Sequence, residues 1–196
     1  MSTKKVDPRV TRTRQLLQEA FTTLIREKDF KAITVRDITE KATVNRATFY
    51  AHFTDKYELL DSTITDTFRN TLRQKINCHK AINQETLTKI VMVMCEYQKN
   101  LTTLCSSRYQ SLEPVIENNI IEELQTLIFH ILLETKKQTT LSVDDESLKA
   151  ISMMLSWSIY GAAYSWNKEG RNLSVEDFGA KITPIIMNGV ESIMEK

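Results

Sequence analysis

Apolar residues recur at three- and four-residue spacing in nearly every segment of this chain, a periodicity that admits little besides α-helices. Leu17, Ala20, Phe21, Leu24 and Ile25 form one stripe. Leu148, Ile151, Leu155, Ile159 and Ala162 form another, and Phe178, Ile182, Ile186, Val190 and Ile193 a third. No useful length alternates with period two, as a half-buried strand would. Four glycines and three prolines in 196 residues leave few sites for the turns of a many-stranded fold. The predicted fold class is all-α, with about nine helices.

The spacing predicts helices over 9–28, from just after Thr34, over 46–52, from Asp55 to Lys75, and over 84–105, 116–138, 145–168 and 174–195. Thr34 and Asp37 form a capping box for the second, and Asn45 caps the third. Asp55 and Glu58 offer a second box. The helix over 84–105 is apolar on two sides, as in a bundle interior. Pro114 breaks the segment 108–119, and Pro184 should kink or interrupt the last helix.

Charge is unevenly spread. Residues 1–60 carry 12 Lys and Arg against 8 Asp and Glu, a balance of +4, and residues 61–196 carry 14 against 17, a balance of −3. A basic head on a mildly acidic body suits a local nucleic-acid contact. No apolar run reaches the roughly 18 residues that span a bilayer, and the first residues lack the apolar core of a signal peptide. The expectation is a cytoplasmic protein with no membrane partner. Cys78, Cys95 and Cys105 form no C-x-x-C pair, which argues against a zinc site or a disulfide framework. Cys95 reads as a small buried hydrophobe. No nucleotide loop, H-E-x-x-H or G-x-S-x-G motif occurs, so neither an enzyme nor a cofactor is expected.

Residues 34–56 read as two short helices joined by a tight turn, then the start of another. A helix-turn-helix places its second helix in the major groove of a duplex. Phe49 and Phe53 anchor that helix from within. Asn45, Arg46, Ala47, Thr48, Ala51 and His52 are left to face outward or toward the rim. Ala47 keeps the helix slim and offers a methyl to thymine, while Arg46 suits a guanine edge. The Tyr50 hydroxyl suits a phosphate oxygen. Lys56 and Thr34 sit at helix starts, where phosphates bind well. Arg36 suits either phosphate or base. Lys4, Lys5, Arg9, Arg12 and Arg14 form either a minor-groove arm or a solvated terminus.

The run Thr34-Val35-Arg36-Asp37-Ile38, with Val44, Arg46, Thr48-Phe49-Tyr50, His52-Phe53, Lys56 and Leu59, resembles the TetR family of transcription regulators. The resemblance is dense over residues 16–61 and architectural beyond them. It implies a three-helix DNA-binding head, set at 1–58, and a ligand-binding and dimerisation body at 59–196. It implies phosphate contacts from Thr34, Tyr50, His52 and Lys56, and base or groove contacts from Arg36, Asn45, Arg46, Ala47 and Thr48. Partners implied are a double-stranded DNA operator, an effector of unspecified chemistry and a second copy docked through the last two long helices. Function by this reading is ligand-responsive repression on a near-palindromic site. The alternative is a TetR-like adaptor or co-activator working through a protein partner. Thr43 stands where the family usually has glycine, so its backbone is expected to be strained.

In the body, Met92, Cys95, Phe129, His130, Trp157, Tyr160 and Tyr164 are candidates to line an apolar pocket. Side chains of this kind fill cores more often than they line pockets. Gly161, Ala162 and Ala163 suit close helix packing across a dimer interface.

Overall fold

The computed structural model of the chain describes residues 7–76, 81–104, 113–139 and 143–194. Among them the fold is helical throughout: α1 (Pro8–Glu27), α2 (Val35–Ala42), α3 (Arg46–His52), α4 (Lys56–Ile76), α5 (Gln84–Leu104), α6 (Glu113–Gln138), α7 (Asp145–Lys168) and α8 (Val175–Met194), with a 3₁₀ turn at Phe30–Ala32. The all-α prediction holds, with eight described α-helices rather than about nine. Part of the predicted break over 108–119 lies outside the described residues. Its remainder opens α6, where Pro114 occupies the first turn and its missing N–H has no intrahelical acceptor to lose. Cys78, Cys105, Lys4 and Lys5 also lie outside the described residues.

The chain forms two compact units, residues 1–66 and 67–196. The first unit takes in the first turns of α4, which pack into the head. Leu59 and Leu60 are buried there. Gln18 donates to Ser62 (3.0 Å) and Asp66 (2.8 Å). The Arg14 guanidinium lies 4.7 Å from the Phe53 ring centroid and pairs with Asp66. Arg14 thus ties α1 to α4 and is not part of a loose arm.

The head closes on Leu17, Phe21, Leu24, Phe30, Ile33, Ile38, Phe49 and Phe53, all buried. Asp7 caps α1, with Pro8 in its first turn. The Thr34–Asp37 box forms as predicted: Asp37 N–H donates to Thr34 Oγ1 (3.2 Å), and Thr34 N–H and Oγ1–H donate to Asp37 Oδ2 (both 2.7 Å). Lys28 Nζ sits 2.9 Å from Asp37 Oδ1. Lys28 and the Thr34 donors together hold the Asp37 carboxyl well below the usual carboxylate range.

Thr43 ends α2 at φ 56°, ψ 43°. That left-handed conformation costs a β-branched residue about 1–2 kcal/mol. Thr43→Gly should relieve it, less about 0.5–1 kcal/mol for the extra freedom of an unfolded glycine. The net expectation is a melting temperature higher by roughly 2–4 °C, measurable by calorimetry.

In the body, α5 packs against α7 and α8, and α6 against α7. Leu87, Ile90, Val91 and Met94 of α5 are buried, as are Ile120, Leu124 and Ile128 of α6 and Leu155, Ile159 and Ala163 of α7. Gly179 lets α8 approach closely: a Cβ there would meet Met92 Cγ at 3.3 Å and Thr88 Cγ2 at 3.4 Å. Pro184 lies inside α8, which continues past it. The residue just before it joins α8 to α5, with Thr88 Oγ1–H donating to Thr183 Oγ1 (3.1 Å). No described helix is long and apolar enough to cross a membrane.

Candidate nucleic-acid interface

α3 is seven residues long, too short to persist without anchorage. Two buried rings supply it. Phe49 and Phe53, one turn apart, are 0% and 1% exposed, with centroids 5.9 Å apart. Asn45 caps the helix by accepting from Thr48 N–H (2.7 Å) and Thr48 Oγ1–H (2.8 Å) through one oxygen, Oδ1. The short turn of Thr43 and Val44 fixes the angle between α2 and α3, with Val44 N–H donating back to Thr39 C=O (3.0 Å).

With its inner side fixed, α3 turns its polar side to solvent. Asn45, Arg46, Ala47, Tyr50 and Ala51 are exposed, and Thr48 and His52 are half-buried. Tyr50 keeps 48% of its surface open, its ring edge-on to Phe49 at 5.4 Å. Arg46 Nη2–H donates to Tyr50 Oη (3.2 Å), and its guanidinium lies 5.5 Å from that ring's centroid. Thr34 and Arg36 are exposed at the start of α2. Arg36 Nε–H donates to Glu40 Oε1 (2.7 Å), a partner four residues on, and this bond raises the guanidinium pKa above its ordinary value. That spacing is readable in the sequence.

Lys56 is placed differently from the other candidates. Its ammonium turns inward and donates to the carbonyls of Phe30 (2.9 Å), Lys31 (3.3 Å) and Ile33 (2.8 Å). It also stands 4.5 Å from the Phe30 ring centroid. An ammonium has three N–H bonds, so none is left for a phosphate in this arrangement. Burial pushes its pKa below the ordinary lysine value. Lys56→Met should therefore destabilise the DNA-free protein by about 1–3 kcal/mol. Thermal unfolding without DNA checks this; an unchanged melting temperature would return Lys56 to the surface.

At the start of α4, Asp55 Oδ1 accepts from Tyr57 N–H and Glu58 N–H (both 2.8 Å). Glu58 reaches one residue further back than a capping box requires, accepting from Thr54 N–H (2.6 Å).

The seven pocket candidates are spread over α5, α6 and α7. Met92 faces Gly179 in the seam between α5 and α8. Cys95 and Tyr160 are buried, and burial pushes the Cys95 thiol up to about 12. Phe129 and Tyr164 are half-buried, the latter stacked on Tyr160 with centroids 6.2 Å apart. His130 is exposed, and Trp157 is 50% exposed.

Residues 17–63 match the pattern of the bacterial regulatory proteins of the tetR family. The HTH-type transcriptional regulator YxbF of Bacillus subtilis (strain 168) is 50% identical over 62 residues, which are 31% of this chain and only 16% of that relative. Two solved structures share the fold along most of their length. The TetR family repressor AlkX from Dietzia sp. strain DQ12-45-1b has a TM-score of 0.66 at 13% identity, covering 91% of this chain and 98% of its own. Thermus thermophilus FadR, a TetR family repressor in complex with lauroyl-CoA, has a TM-score of 0.62 at 22% identity, covering 90% and 94%. The helix-turn-helix with its aromatic-anchored second helix thus carries the pattern of the tetR family of bacterial regulatory proteins over residues 17–63, and the all-helical body that follows shares its fold with solved TetR family repressors.

Proposed function

We propose that this chain is a homodimeric, ligand-responsive repressor that binds a near-palindromic DNA operator. The observation that carries this reading is the outward polar face of α3, held by two fully buried phenylalanines. α3 enters the major groove, with Thr34, Arg36, Asn45, Arg46, Ala47, Thr48, Tyr50 and His52 at the duplex and Lys56 holding the adjacent turn from inside.

The dimer forms through α7 and α8. Met153, Met154 and Trp157 of α7 are 47%, 63% and 50% exposed, and Ile185 of α8 is 65% exposed. Large apolar side chains clustered on a surface mark an interface. Gly161, one turn beyond Trp157, has open space at its Cβ position. A second copy seated there sets two recognition helices about 34–36 Å apart, one helical turn of DNA.

The body holds an effector. The fold it shares with a repressor solved with lauroyl-CoA supports a small molecule in that role. The effector acts by preferring a body conformation whose head spacing misfits the operator, and it shifts the population by no more than its differential affinity. A gel shift at low salt against DNA upstream of the chain's own gene tests the reading. The expected result is a discrete complex that competitor DNA of unrelated sequence does not displace; absence of any complex would argue against a DNA-binding role.

A further inference from the structure

The outward face of α3 has a chemistry of its own. Successive residues of an α-helix turn by about 100°, so the direction opposite Phe49 and Phe53 falls on Ala51, with Ala47 about 40° away. Both alanines are exposed. The middle of the face that a groove would meet is therefore two methyl groups. The polar residues stand on its flanks and already bond to one another.

Arg46 donates to Tyr50 Oη (3.2 Å) on one flank, leaving the tyrosine hydroxyl proton to point outward. On the other flank Asn45 Oδ1 accepts both Thr48 N–H (2.7 Å) and Thr48 Oγ1–H (2.8 Å). Bidentate pairing with adenine needs an asparagine's oxygen and its amino group together. Asn45 has committed the oxygen to the cap and keeps only donors. The pattern lacks a group placed to read a purine edge bidentately from the centre of the helix.

We propose that α3 reads thymine methyl groups through Ala47 and Ala51, with Arg46 and Tyr50 acting together on one phosphate rather than on guanine. The inference rests on the DNA-binding reading above and specifies what that interface recognises. Four residues along a helix rise about 6 Å. Successive base pairs are about 3.4 Å apart. The two methyl groups thus match thymines about two base steps apart in each half-site.

The test uses the full-length protein and the upstream duplex retained in the gel shift, with single thymines replaced by deoxyuracil. That change removes one methyl group and preserves base pairing. Two positions per half-site should each lose about four-fold in affinity, the amount expected for one buried methyl-sized group. Ala47→Ser and Ala51→Ser should each shrink the thymine-over-uracil ratio at one of those positions, and Arg46→Ala should weaken all duplexes alike. Unchanged affinity after every uracil replacement would overturn the thymine readout while leaving the regulator reading intact. Relaxed preference at a G·C pair in Arg46→Ala would overturn the phosphate assignment. Failure to bind any duplex would remove the regulator reading, and this one with it.

Discussion

Phe49→Ala is expected to cost about 3–5 kcal/mol and to abolish operator binding. Phe49 is fully buried, edge-on to Tyr50 and tilted against Phe53. Its removal leaves a cavity beneath a helix of seven residues, which has too few backbone bonds of its own to hold shape. Total stabilities of small domains run to about 5–15 kcal/mol, so the loss is a large fraction of the whole. In a gel shift the variant should show no complex at concentrations where the parent is saturated. Far-ultraviolet circular dichroism should retain most of its helical signal, because the helices of residues 67–196 have their own buried core. Parent-like affinity in Phe49→Ala would mean that α3 does not need its aromatic anchor.

Trp157→Glu is expected to separate the dimer. The indole is half open in the single chain and lies on the same helix as Met153 and Met154. In the proposed dimer, glutamate at this position places a charge in an apolar interface with no partner, a change that costs several kcal/mol. Each 1.4 kcal/mol is ten-fold in affinity, so the dissociation constant should rise by about 10²–10³. Sedimentation should then report a single chain where the parent reports two. Operator affinity should fall by at least about 10², since each head would bind its half-site without the help of the other. A variant that still sediments as two chains would place the interface elsewhere.

Local rules made much of the head legible. The bounds of α3 follow from Asn45 as cap and Phe49 and Phe53 as anchors, and the capping box and strained Thr43 involve residues within a few positions of each other. Lys56 was not legible, because its acceptors are 23 to 26 residues upstream, on a turn that only the folded head brings near. The seat of Met92 was not legible for a similar reason: its neighbour Gly179 comes from another helix far along the chain. Trp157 shows a different limit. Periodicity marks it as apolar but cannot say whether its cover is the chain's own interior or a second copy. Ala51 was legible only as one of several outward residues, and its place opposite the two phenylalanines sets it at the middle of the exposed face.

Selection of bound fragments from a random DNA pool tests the central claim most directly. A pair of α3 helices fixed by one dimer predicts an enriched, near-palindromic sequence whose half-sites are centred about 10–10.5 base pairs apart or a multiple of that. Enrichment of no sequence, or of one unrepeated half-site, would contradict it.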